Sequence, residues 1–401
     1  MAKECRLCAP KNQQYALLTE VLNVVKLDDT LRTSIIPDDL MRATSQEWRR
    51  IQRDNVPIKL EVHEPAVKVR EKLEMFLKDK FRVTEVNLSR TCFIRQGYIR
   101  DEGMMMLAPL LIQCPLEKLQ LSSVGISDSG AIPVSLIVSC CPLLTHLDLY
   151  DNKIGVSGAT CLGRALRHCP FLQHLSVALA EIQEAGFVAI AEGLTASSRE
   201  NQQSALTSLF AGANDIDIPR KGDGTQNLRG PAQSFSAALF NLTLHCSNLQ
   251  ELDFFENSIC RLDIVAQVLY NAKNLKALNI CNTDLDWDDR NAREAFMMAL
   301  HMHTSLTSLD LSCNNMSDDA FTRLARVLPR CTTLAKLDLA VTDMDDVHVG
   351  AMSDALARSP HLTALNLGFN ALSLNGVHTL RQAWLHGDEG LNVESQDYEY
   401  D

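Results

Sequence analysis

The sequence predicts an α/β solenoid in which short parallel strands alternate with helices, preceded by a small helical region. Two observations predict it. The pattern LxxLxL recurs, with its first leucine at Leu116, Leu144, Leu172, Leu206, Leu249, Leu275, Leu306, Leu334 and Leu362. Five of the eight spacings lie within two residues of 28, and a fixed period of this size marks stacked structural repeats. The copies also share an internal grammar that switches from period two to a helical period.

The unit beginning at Leu144 shows that grammar. Leu144, Leu147 and Leu149 alternate as a strand does, and Asn152 follows where an amide can bond the backbone of the next turn. Ile154 returns to the core and Gly158 allows a close backbone approach. Leu162, Ala165 and Leu166 then recur at helical spacing, with Cys161 beside them. Asn314 and Met316, and Asn370 and Leu372, repeat the turn. Ala180, Thr283 and Thr342 replace the Asn in three units, so those turns lose an internal amide.

This grammar resembles the leucine-rich repeat of the ribonuclease-inhibitor type, LxxLxLxxNxIxxxGxxxLxxxL, over about residues 83–385. The resemblance implies a horseshoe with parallel strands on the concave face and helices on the convex face. A degenerate first unit is expected at Val83, Val86 and Leu88. Residues 81–385 are thus assigned about nine to ten units, interrupted by insertions near 195–205 and 217–231.

Residues 1–80 do not repeat and are expected to form a helical region that caps the first unit. Helices are predicted in ALLTEVLNVVKL, in PDDLMRATSQEWRRIQRD, and in PAVKVREKLEMFLKDKF with Val67, Leu73, Phe76 and Leu77 on one side. Residues 386–401 read as an acidic, flexible tail.

The net charge of −12 argues against a duplex nucleic-acid partner, which needs a basic face. Residues 1–80 carry net +2, which leaves −14 on the remainder. No apolar run approaches the roughly 20 residues that span a bilayer. The first residues, MAKECRLCAPKNQQY, lack the apolar stretch of a secretory signal, so a cytoplasmic chain is expected. The 13 cysteines then read as reduced thiols. Cys114, Cys141, Cys169, Cys246 and Cys331 recur two or three residues before a first leucine, as small apolar fillers.

No phosphate-binding loop, H-E-x-x-H or G-x-S-x-G motif occurs. No cofactor and no metal are therefore expected. Cys5 and Cys8 form a CxxC without a second pair, and His146 and His174 occupy equivalent positions of adjacent units. A non-enzymatic scaffold follows, one that binds protein segments of basic or mixed charge as a subunit of a hetero-oligomeric complex. The candidate binding residues are Tyr150, Asp151, Phe210, Asp253, Phe255 and Glu256 on the strand face, and Arg220, Lys221 and Arg229 in the second insertion. Aromatics lead this choice, because they dominate binding hot spots.

Three narrower resemblances bear on the assembly. ALLTEV, EWRR and LEMFLKD ahead of the repeats resemble the leucine-rich subunit of the axonemal nexin–dynein regulatory complex, which implies a ciliary or flagellar scaffold. The middle insertion and acidic tail resemble Ran GTPase-activating proteins, although Tyr98 after Gly97 stands where that family holds Arg, with Arg95 and Arg100 nearby. The stretch DDLMRATSQEWRRI resembles part of an F-box, which implies a ubiquitin-ligase substrate receptor.

Overall fold

The computed structural model describes residues 57–61, 65–89, 99–197, 204–218, 231–387 and 389–393. The chain divides into two compact units, one ending at Ala180 and the other beginning at Glu181.

The first unit holds five parallel strands. They are β1 (Pro57–Glu61), β2 (Arg82–Asn87), β3 (Lys118–Gln120), β4 (His146–Asp148) and β5 (His174–Ser176), each paired with the next. Between them run α1 (Ala66–Lys78), α2 (Arg100–Leu111), α3 (Asp128–Cys140) and α4 (Gly155–Leu166). The second unit holds α5 (Gln183–Ser197), β6 (Ser208–Phe210), α6 (Pro231–His245), β7 (Glu251–Asp253), α7 (Leu262–Asn271) and β8 (Ala277–Asn279). It continues through α8 (Arg290–Met302), β9 (Ser308–Asp310), α9 (Asp318–Val327), β10 (Lys336–Asp338), α10 (Asp346–Leu356), β11 (Ala364–Asn366), α11 (Leu374–Ala383) and β12 (Leu391–Asn392). Its strands also pair in chain order and in parallel. Within each unit, successive helices pack side by side. This is the leucine-rich repeat solenoid fold.

Strands β3 to β11 are only three residues long because each rung needs one inward leucine between two outward residues. Leu147, for example, is buried while His146 and Asp148 on either side are half-buried. Burying one such side chain contributes roughly 1.5–3 kcal/mol, and the leucine columns repeat that gain at every rung. Leu144, Leu147, Leu149 and Ile154 are all 1% exposed or less, so the predicted strand and return positions form the core. Gly158 lies where a Cβ would meet the Ala131 Cβ at 2.7 Å, so α3 and α4 approach more closely than a side chain there permits.

Asn152 secures the turn as its position predicts. Its Nδ2 donates to the carbonyls of Leu121 (2.8 Å) and Leu149 (2.9 Å), and its Oδ1 accepts from the Ile126 amide (3.0 Å). Asn214, Asn257, Asn314 and Asn370 are buried in the second unit at the same place. The turns with Thr keep part of this bonding. Thr283 Oγ1 donates to the Ile280 carbonyl (2.8 Å) and Thr342 Oγ1 to the Leu339 carbonyl (2.7 Å). A hydroxyl there stands in for one amide donor.

The cysteine column is a second spine. Cys141 and Cys169 are buried, and Cys169 Sγ lies 3.2 Å from the Val138 carbonyl of the preceding unit. Burial pushes the Cys114, Cys169 and Cys331 thiols up to about 12, so they stay protonated. His303 takes the cysteine's place in its unit. Its Nε2 is 3.0 Å from the Ala272 carbonyl, and its Nδ1 accepts the Leu306 amide (3.0 Å). That pairing fixes the tautomer with hydrogen on Nε2.

Two boundaries and one helix face differ from expectation. Among the described residues the first strand is Pro57–Glu61, inside the region assigned to a helical cap, because Ile58 and Leu60 alternate as a strand and pair with β2. Of the three helices expected in residues 1–80, α1 is described and the other two lie outside the described residues. Its buried side is Val69, Leu73 and Phe76, while Val67 is 54% exposed. At the other end, Leu391 and Asn392 pair with Leu365 and Asn366, so the start of the tail extends the sheet. Trp384 Nε1 donates to the Glu389 carbonyl (2.8 Å) and helps hold that return.

Candidate functional site: the open face of the strands

Side chains that alternate with the buried leucines stand on the face of the sheet away from the helices. Their backbone is fixed by a repeated turn. After each of β3 to β11 the chain passes through a left-handed residue: Ser123, Asp151 and Leu179 in the first unit, and Ala213, Glu256, Asn282, Cys313, Val341 and Phe369 in the second. A left-handed L-residue costs about 1–2 kcal/mol. The cost is offset by bonds to the neighbouring rung, such as Asp151 N–H to the Ala178 carbonyl (3.0 Å) and Glu256 N–H to the Cys281 carbonyl (2.9 Å). Such a bond contributes about 1 kcal/mol net.

The aspartates just before the third leucine position, Asp253 among them, have a structural task. Asp148 Oδ1 accepts the Tyr150 amide and Asp253 Oδ1 accepts the Phe255 amide, both at 3.0 Å. Asp310 and Asp338 do the same for Ser312 and Ala340. Asn279 and Asn366 hold equivalent turns with their amide oxygens. The remaining Asp253 oxygen accepts from Asn279 Nδ2 (3.0 Å). Burial raises the Asp253 carboxyl above its usual range, against the pull of the Phe255 amide and Asn279. Asp253 is therefore engaged in holding its own turn, and its carboxylate offers a partner little unpaired capacity.

In the first unit, Tyr150 is 40% exposed and Asp151 is exposed. Asp151 Oδ2 accepts from Ser123 Oγ (2.6 Å), and Asp148 Oδ2 accepts from Ser122 Oγ. His146 and His174 stack on adjacent strands, with ring centroids 4.2 Å apart. Thr145 Oγ1 donates to the Glu117 carbonyl (2.8 Å) and lies 2.7 Å from His146 Nδ1. Its single hydrogen is thus spent, so His146 Nδ1 carries the proton. Burial, then His174 and Lys118, lower His146 to about 4. His146 is therefore a neutral ring, stacked on His174 beside Asp148. Among the described residues, no group of three or more His, Cys, Asp or Glu side chains could hold a metal ion.

In the second unit, Phe210 ends β6 and Phe255 follows β7 on the adjacent rung, both half-buried, and Glu256 is exposed. Position 212 is glycine for a reason: a Cβ there would collide with the Phe255 ring. The ring thus lies over the backbone of the neighbouring rung. Beneath it, Phe187, Phe235 and Phe254 form a cluster with centroids 4.9–6.1 Å apart. Further along, an open groove of about 550 Å³ runs over β9–β12, flanked by Asp310, Lys336, Asp338, Asn366 and Asn392.

The predicted residues therefore divide between the units: Tyr150 and Asp151 in the first, and Phe210, Asp253, Phe255 and Glu256 in the second. Arg220, Lys221 and Arg229 lie outside the described residues, as do Arg95, Gly97 and Tyr98. Arg100 opens α2 with an exposed side chain. Two features of the face were missed by the sequence reading: the Asx bonding of Asp253 and the left-handed column. Only the recurrence of Asp or Asn before the third leucine could have pointed to the first.

A family model described as "Leucine Rich repeat" matches residues 140–163, 303–322 and 358–380. Each segment spans a helix-to-strand return, the strand, its turn and the start of the next helix. In these three segments the chain is similar to leucine-rich repeat proteins. Among curated proteins, human NACHT, LRR and PYD domains-containing protein 14 is 29% identical over 194 residues. That match takes in 47% of this repeat protein but only 16% of the human protein's length. Among solved structures, an internalin (inlF) from Listeria monocytogenes is 16% identical, with a TM-score of 0.47 over 98% of both chains. No described helix of the repeat protein is long and apolar enough to cross a membrane.

Proposed function

We propose that this repeat protein is a non-enzymatic scaffold that captures protein segments on the open face of its strands, within a hetero-oligomeric assembly. The single observation that carries this is the half-exposed aromatics on that face: Tyr150 in the first unit, and Phe210 with Phe255 in the second. Aromatic rings bury much area at low entropic cost, so an exposed set on a rigid sheet suits partner capture. Asp151, Glu251 and Glu256 are exposed beside them, which favours partners of basic or mixed charge.

The assembly we propose is a ciliary or flagellar axonemal complex. The support is the resemblance of the N-terminal segments, of which LEMFLKD lies in α1, to the leucine-rich subunit of the nexin–dynein regulatory complex. The test is affinity purification of the full chain from ciliated cells followed by mass spectrometry. Axonemal proteins should be enriched. Recovery of soluble nuclear-transport proteins alone would overturn the axonemal reading.

A further inference from the structure

Cys281 and Cys313 stand apart from the protein's other described cysteines. The buried column lies at the return from helix to strand, where a thiol fills space. These two lie instead in the turns that leave the open face, on adjacent rungs. β8 and β9 run in register, with Asn279 opposite Asp310. The pairing continues past the strand ends: Ile280 N–H bonds the Asp310 carbonyl (3.0 Å) and Asn282 N–H the Ser312 carbonyl (2.9 Å). Cys281 therefore sits beside Ser312, and Cys313 is one residue further along the neighbouring rung.

That offset suits a crosslink. Rungs are about 4.8 Å apart and one residue advances the chain by at most about 3.8 Å, which places the two Cα atoms about 6 Å apart. Disulfides accept Cα separations of about 4.4–6.8 Å. The two side chains are also neighbours, since Cys313 is among the groups that raise the Cys281 thiol. Access is unequal: Cys313 is exposed and Cys281 is half-buried. Nothing in the repeat grammar calls for cysteine at either place. The position of Cys281 is held elsewhere by Ser122, Tyr150 and Phe255, and that of Cys313 by Ser123, Val341 and Phe369.

We propose that Cys281 and Cys313 form a dithiol modification site that reacts with low-molecular-weight disulfides such as oxidised glutathione and closes a bond between adjacent rungs. The Cys313 thiolate attacks one sulfur of the small disulfide, forms a mixed disulfide and expels one thiolate. Cys281 then gives its proton to solvent, attacks Cys313 Sγ and expels the second thiolate. Two protein thiols are oxidised and one small disulfide is reduced to two thiols. Cys313 is the entry point because it is exposed. Cys281 resolves slowly, because burial and then the nearby Asp310 carboxylate hold its thiol high. The closed bond would fix the spacing of two turns at the edge of the open face.

The test equilibrates the reduced full chain with reduced and oxidised glutathione, blocks remaining thiols with N-ethylmaleimide, and maps the peptides by mass spectrometry. A peptide pair joined through Cys281 and Cys313 should appear before any peptide linked through Cys114, Cys141, Cys169 or Cys331. In Cys281→Ser, Cys313 should instead accumulate as the glutathione mixed disulfide, at about tenfold or more its level in the parent chain. A Cys313 mixed disulfide that persists equally in both chains would overturn the proposal. So would Cys313 bonded to any other cysteine, or a Cys313 that does not react while the buried column does.

Discussion

The Phe255 ring fills the space that a side chain at position 212 would need. One residue's smallness thereby sets the other's place on the open face. Gly212 and Phe255 each lie two residues past adjacent parallel strands, whose first leucines are 43 residues apart in sequence.

The first prediction follows directly. Gly212→Ala should destabilise the second unit by about 1–3 kcal/mol, the usual cost of an overpacked contact. Phe255→Ala frees the space, so the double variant should be less destabilised than the two singles together. Urea unfolding of all four chains measures the coupling. Additive losses would show that the ring does not press on position 212.

A second prediction concerns the asparagine spine. Asn257 Nδ2 donates to the Ala211 and Phe254 carbonyls, and its Oδ1 accepts the Asn214 and Ile216 amides. Asn257→Ala leaves several of these groups unpaired in the core and should cost about 3 kcal/mol. Asn257→Thr should lose roughly half as much, because Thr283 and Thr342 show a hydroxyl reaching the equivalent carbonyl. Equal losses in chemical denaturation would contradict that substitution logic.

His303 supplies a pH dependence. Burial holds its folded-state pKa below the ordinary value of 6.5, against the raising effect of the Ala272 carbonyl. The unfolded chain therefore takes up a proton first as pH falls through 6.5. Its contribution to stability is full above that pH and is lost as pH drops below it. His303→Cys restores the residue type of the column and removes this dependence. Thermal unfolding between pH 7 and pH 5 should show the parent chain losing ground to the variant. His146 stays in both chains and cancels. A constant difference across that range would contradict the assignment.

The thiols separate the protein's two cysteine environments. Cys114, Cys169 and Cys331 are pushed to about 12 and are buried, so their alkylation should require unfolding. Cys313 is exposed and should react first. Iodoacetamide labelling read by peptide mass spectrometry gives the order. Column cysteines labelled as fast as Cys313 in the folded chain would contradict it.

Much of the architecture was legible in the sequence, because each rung repeats the same local requirement. The leucine triplets, Asn152, Asn314, Asn370 and the cysteine column recur at fixed offsets, and one structural role explains each. The terminal strands were not legible. Ile58 and Leu60 offer only two alternating apolar residues, and β12 is two residues long, so their pairing comes from the neighbouring strand. The open face was partly legible. Tyr150, Phe210 and Phe255 could be found by lining up the rungs. The role of Asp253 could not, because a carboxylate bonded to a backbone amide reads in sequence like one waiting for a partner. The left-handed column was hidden too. Ordinary residues such as Asp151 and Val341 occupy it, held by bonds to the next rung instead of by glycine.

The central claim, that the open strand face captures partners through its aromatics, is tested most directly by quantitative affinity capture with the full chain. Three variants are compared with the parent: Tyr150→Ala, Phe255→Ala, and Tyr270→Ala. Tyr270 is 60% exposed at the end of α7, on the helical side, with Lys273 Nζ 4.3 Å from its ring centre. Each variant is first confirmed to unfold within a few degrees of the parent. The account predicts that Tyr150→Ala or Phe255→Ala weakens retention of the parent's partners by about tenfold or more, and that Tyr270→Ala leaves it unchanged. Retention lost in Tyr270→Ala and kept in both strand-face variants would place capture on the helical side and contradict the account.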